Sequence, residues 1–147
     1  MGGVERDMLT PPTVAVIGGG QLARMMQESA IALGINLRVL VEAEDGSTGL
    51  VTVDKAVGAP KDLDAVRALI DGADVLTFEH EHIPAQTMEE AARVVSVQPP
   101  APALLYAQDK LQMRARLSEM GIPCPAWARV DNAAELERIG AVIGWPL

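Results

Sequence analysis

Apolar and polar positions along the chain fall into short blocks whose period changes wherever glycine or proline intervenes. The run Thr13 to Ile17, with β-branched Val14, Val16 and Ile17, reads as a buried strand. After Gly18-Gly19-Gly20 the spacing turns helical. Leu22, Met25, Met26, Ser29, Ala30 and Leu33 recur three and four apart, which predicts one buried stripe on a helix that Gly34 stops. Residues 37–41 predict a second strand, and residues 44–55, rich in Gly, Ser, Thr and Asp, an irregular loop. Leu63, Val66, Leu69 and Ile70 share a face of a helix over residues 61–70, and residues 75–78 form a third strand. Pro84 opens a helix over residues 85–93, residues 94–97 give a fourth strand, and Pro99, Pro100 and Pro102 then break the alternation.

Strands alternating with helices at this spacing predict an α/β fold, a half-Rossmann parallel sheet flanked by helices, over residues 13–103. Residues 104–147 differ in character. Asp109 caps a helix reaching to about Met120, with Gly121 at its C-terminus. Ile122-Pro123-Cys124-Pro125 follows, then a short strand predicted at residues 127–130 and a second helix capped by Asn132. Residues 1–12, mostly Gly, Pro and charge, are expected to be a disordered leader.

Composition narrows the class. A chain of 147 residues is long enough for one domain with a proper core and short for two. A formal charge of −8 argues against a nucleic acid or anionic membrane partner, because like charges repel. No apolar run approaches the roughly 20 residues that cross a bilayer. Residues 1–12 also lack the apolar segment of a secretory signal, so a cytoplasmic location is expected. Cys124, the only cysteine, has no partner for an internal disulfide and reads as inert.

Two constellations carry candidate chemistry. In Gly18-Gly19-Gly20-Gln21-Leu22-Ala23, glycine allows positive φ and close backbone approach, and the helix N-terminus adds partial positive charge. Read strictly, Gly18, Gly20 and Ala23 satisfy the dinucleotide pattern G-x-G-x-x-A, with Glu42 near the end of the second strand where a ribose-binding acid would sit. The second constellation, Thr77-Phe78-Glu79-His80-Glu81-His82, lies at the carboxyl end of the third strand, where ligands of open parallel sheets bind. Strand alternation would put Glu79 and Glu81 on one face and His80 and His82 on the other. The glutamates are the expected site pair, because carboxylates accept hydrogen bonds from amino and hydroxyl groups. The histidines read as surface or hydrogen-bonded groups, since two imidazoles without a third ligand make a poor zinc site.

Taken together, residues 16–25 (VIGGGQLARM), 77–81 (TFEHE), 108–110 (QDK) and 120–125 (MGIPCP) resemble the ATP-grasp carboxylate–amine ligases. More narrowly they resemble the 5-(carboxyamino)imidazole ribonucleotide synthase family of purine biosynthesis, from about Thr13 to Leu147. The resemblance implies that ATP activates bicarbonate as carboxyphosphate and that the amine of 5-aminoimidazole ribonucleotide captures the carboxyl group. Magnesium would bridge the nucleotide phosphates, and the protein would be a homodimer. By the same resemblance, Gly20, Gln21, Leu22 and Glu79, with Glu81 beside them, would line the ribonucleotide side of the cleft, and Lys110 would contact ATP. Residues 104–147 would be a linker helix and the beginning of the ATP-grasp domain. The ATP lysine strand, the glycine-rich loop and the magnesium carboxylates would follow Leu147, so this chain is expected at most to bind ribonucleotide weakly and not to use ATP. The competing expectations are an NAD(P)-binding oxidoreductase module and a non-catalytic nucleotide-binding domain.

Overall fold

The structure, a computed structural model, describes residues 10–147. Of the expected leader, residues 1–9 lie outside that range. By Pro12 the chain is already pinned, its carbonyl accepting the Asn36 amide at 2.9 Å. Contacts group the described residues into two units that divide between Ala103 and Leu104.

The first unit is a five-stranded, wholly parallel sheet: β1 (Thr13–Ile17), β2 (Asn36–Val41), β3 (Lys55–Val57), β4 (Val75–Phe78) and β5 (Ser96–Val97), in the order β3-β2-β1-β4-β5. Helices α1 (Gln21–Leu33), α2 (Leu63–Ile70) and α3 (Ala85–Ala92) connect the strands. Strand order reverses between β1 and β4, the point at which loops from both strands diverge and leave a crevice.

Side-chain alternation assigns the two faces of the sheet. Val16, Leu37, Val39 and Val41 form one buried cluster with Ala23 and Ala30 of α1. Arg38, between Leu37 and Val39, points the other way. Its guanidinium donates to the carbonyls of Leu69 and Asp71 at the end of α2, at 3.2 and 2.6 Å, and pairs with Asp54 at 2.8 Å. A cation at a helix C-terminus satisfies carbonyls that lack intrahelical partners, so Arg38 ties α2 to the sheet. Asp62 does the reciprocal work at the start of α2, accepting from the amides of Asp64 and Ala65 at 3.0 and 3.1 Å.

Three expectations for this unit need correction. Of the expected stripe on α1, Ala30 is buried and Met26 packs against the core, and Ala23 outside the stripe is buried too, while Leu22, Met25 and Leu33 are 55, 54 and 71% exposed. Small residues let the helix lie close to the sheet, and the apolar stripe flanks the contact. The stretch read as an irregular loop is tied down and leads into β3, an edge strand too short and polar at Lys55 to show a pattern. The last strand is only Ser96–Val97.

The second unit holds a short 104–108 helix, α4 (Leu104–Gln108), then α5 (Lys110–Glu119) and α6 (Ala133–Ile143). Asp109 caps α5 by accepting the Gln112 amide at 3.0 Å, and Asn132 caps α6 by accepting that of Glu135 at 3.0 Å. Gly121 follows α5 at φ +69°, a left-handed turn that glycine makes without strain. The strand expected at residues 127–130 does not form. No strand of this unit is available to pair with it, and Trp127 instead donates from its indole to the Ser118 hydroxyl at 3.1 Å.

Candidate functional site

The glycine turn between β1 and α1 is held from two sides. Gly18 adopts φ +133°, and its amide donates to Leu40 at 3.2 Å, which brings the turn against the end of β2. On the β4 side, the Glu79 carboxylate reaches back to the first turn of α1. One oxygen accepts the Gly20 amide at 2.7 Å and the other the Ala23 amide at 2.5 Å. Glu79 thus caps α1 across a sequence gap of 59 residues, since neither Gly20 nor its neighbours offer a side-chain cap.

On the β2 side, buried Thr48 takes the turn's carbonyls. Its hydroxyl donates to Gly20 at 2.6 Å and its amide to Gly19 at 3.1 Å. Arg24 and Thr52 fasten the same loop to α1, through Ser47 at 3.0 Å and Gln27 at 3.2 Å. The amides are therefore taken by a carboxylate and the carbonyls by a hydroxyl and an amide. Nothing in the residue pattern of the loop signalled Thr48; the signal is the burial of a hydroxyl that must find an acceptor.

These elements wall a cleft of about 420 Å³ at the carboxyl ends of β1, β2 and β4, lined among others by Gly18, Gly20, Glu42, Glu79 and His80. Gly20 and Glu79 are thus brought together as expected of neighbours in one crevice. Gln21 and Leu22 lie on the first turn of α1 outside its walls; the Gln21 side-chain carbonyl accepts from Ser47 at 3.4 Å, and Leu22 is exposed.

Glu81 does not share the cleft with Glu79. Strand β4 ends at Phe78, so alternation stops before either glutamate, and the residue beside Glu79 in the cleft is His80. The Glu81 carboxylate lies 4.0 Å from the His82 ring. A second cleft, of about 450 Å³, lies within the second unit, where Lys110, Arg114 and Arg129 surround Trp127. Lys110 donates to the Ala107 carbonyl at 3.2 Å. Arg129 is paired with Asp131 at 2.9 Å.

The described residues contain no group of three or more His, Cys, Asp or Glu side chains placed to hold a metal ion. They do not fit a magnesium site by themselves. No described helix is long and apolar enough to cross a membrane.

Residues 12–108 match the ribonucleotide synthetase preATP-grasp domain. The chain belongs to that family. Relatives of the preATP-grasp domain extend the likeness over both units. The chain is 46% identical over 137 residues to the N5-carboxyaminoimidazole ribonucleotide synthase of Mycobacterium tuberculosis, an overlap of 92% of this chain and 32% of that protein. A crystal structure of N5-carboxyaminoimidazole synthase from Aspergillus clavatus, in complex with ADP and 5-aminoimidazole ribonucleotide, matches with TM-score 0.82 at 35% identity. It covers 95% of this chain and 38% of its own. The N5-carboxyaminoimidazole ribonucleotide synthetase of Thermus thermophilus matches with TM-score 0.80 at 30% identity, covering 90% and 37% respectively. The chain spans about a third of the length of the curated relatives it matches.

Proposed function

We propose that this chain carries the ribonucleotide-binding part of an ATP-dependent ligase that carboxylates 5-aminoimidazole ribonucleotide. Bicarbonate takes the terminal phosphoryl group of ATP, releasing ADP. The amine nitrogen then attacks the carboxyl carbon of carboxyphosphate, phosphate leaves, and the nitrogen loses its proton. The product is 5-(carboxyamino)imidazole ribonucleotide. In this reading Gly20 and Glu79 meet the ribonucleotide in the first cleft, with Gln21 and Leu22 on the helix turn beside it, and Lys110 contacts ATP. Residues 104–147 begin the ATP-grasp domain, magnesium would serve as a cofactor for ATP although the described residues do not hold it, and the protein is a cytoplasmic homodimer.

The observation that carries the reading is the Glu79 carboxylate at the N-terminus of α1. In a dinucleotide site that position belongs to the pyrophosphate, whose charge a carboxylate repels. An amine is attracted by the same group, and each Glu79 oxygen keeps a further lone pair beyond its backbone contact. At the start of α1 the cleft therefore favours an amine over a pyrophosphate, although Glu42 stands where a ribose-binding acid belongs.

The test uses the full-length protein. ADP release should require both bicarbonate and 5-aminoimidazole ribonucleotide, and the ribonucleotide should raise the melting temperature. At one hundred times its dissociation constant a ligand adds about 2.7 kcal/mol to the folded state. Stabilisation by NAD with no response to the ribonucleotide refutes the proposal.

A further inference from the structure

The bend after β4 brings a second polar residue to the cleft that Glu79 lines. His80 lines the same cleft, and its ring is fixed by its own backbone: the His82 amide donates to His80 Nδ1 at 3.2 Å. A ring nitrogen that accepts carries no proton, so the neutral imidazole bears its proton on Nε2. The His82 ring stands against that of His80, with centroids 5.9 Å apart. Consecutive residues thus bring an acceptor, Glu79, and a donor, His80 Nε2–H, to one cleft.

Resting on the ribonucleotide reading above, we propose that His80 is a specificity-determining residue for the base. His80 Nε2–H donates to the unsubstituted ring nitrogen of the aminoimidazole while Glu79 accepts from the exocyclic amine. Those two ligand groups lie on one edge of the ring with a single C–H between them, so a neighbouring donor and acceptor address both at once. A base bearing a donor at the ring position would set two N–H groups against each other and be rejected.

The bland alternative is that His80 serves only the bend, through Nδ1. Two substitutions separate the roles. His80→Asn keeps an acceptor near the Nδ1 position and removes the distal donor; His80→Gln puts an amide N–H near the Nε2 position and removes the proximal acceptor. In full-length protein, His80→Asn should weaken the dissociation constant for 5-aminoimidazole ribonucleotide by about 3- to 10-fold, with the KM for ATP and the melting temperature unchanged. His80→Gln should recover most of that affinity despite a lower melting temperature. The reverse order, with Asn benign and Gln damaging, overturns the proposal and leaves His80 a bend residue. Wild-type protein that binds the ribonucleotide while both variants bind equally well overturns the role of His80 alone. Wild-type protein that binds none overturns the ribonucleotide reading and this inference with it.

Discussion

Replacing Glu79 with glutamine removes one negative charge and one acceptor oxygen from the N-terminus of α1. The carboxylate now accepts two amides, those of Gly20 and Ala23, one on each oxygen. Glutamine can keep one of these bonds. Its NH2 group then faces the other N–H, donor against donor. A hydrogen bond to a charged group contributes about 1.5–3 kcal/mol, and loss of favourable charge at a helix N-terminus a further 0.3–1 kcal/mol. Glu79 is only half-buried and water can replace part of the loss, so the expected cost is about 2 kcal/mol. For a unit of this size that lowers the melting temperature by about 8–16 °C. Urea unfolding of the ligand-free chain followed by circular dichroism measures it, and an unchanged m-value shows that the same surface is exposed on unfolding. A Glu79→Gln chain within about 0.5 kcal/mol of wild type would falsify the claim that this carboxylate holds the turn.

Substitutions at three more positions probe the same frame. Thr48→Val keeps the shape of the side chain but leaves the Gly20 carbonyl without its hydroxyl donor, and should cost about 1–3 kcal/mol in denaturant unfolding, whereas Thr48→Ser should stay within about 1 kcal/mol. Gly19→Ala puts a methyl group 2.7 Å from Val41 Cγ1 and 3.0 Å from its Cα, against strand backbone that cannot easily give. A loss of about 1–3 kcal/mol is expected, and a stability equal to wild type would show that the turn is looser than described. Asp62→Ala uncaps α2 and should cost about 1 kcal/mol, with faster amide exchange at Asp64 and Ala65 as the local reporter.

The frame of the first unit was legible because its signals are local. Val14, Val16 and Ile17 name a strand by themselves, the three glycines name the turn, and Gly34, at φ +66°, names the end of α1. What was misread depended on partners distant in sequence. Of the amphipathic stripe on α1 the sheet keeps Ala30 and Met26, but it adds Ala23 and leaves Leu22, Met25 and Leu33 exposed, because close helix–sheet packing rewards small side chains. Residues 127–130 have strand-like composition but their own unit holds no strand, and a strand without a partner leaves its backbone unpaired. Glu79 and Glu81 were paired by an alternation that holds only while a strand continues, and β4 ends at Phe78. At the site, Glu79 and Gly20 could be named from motif and crevice geometry. The places of Thr48 and His80 could not, since they follow from a buried hydroxyl and a ring that accepts a neighbouring amide.

The reach of Glu79 to the start of α1 also bears on how the site comes into being. A peptide spanning β1, the glycine turn and α1 contains the whole motif but not the group that fixes it, so the motif in isolation would fluctuate among turn geometries. The geometry arises only after β4 has docked against β1 and closed a loop of about sixty residues, a non-local step that tends to form slowly. Once formed, the turn owes its rigidity to folding and not to the ligand. A ligand entering the cleft would meet backbone that is already ordered, and would lose correspondingly little of its binding free energy to arranging it.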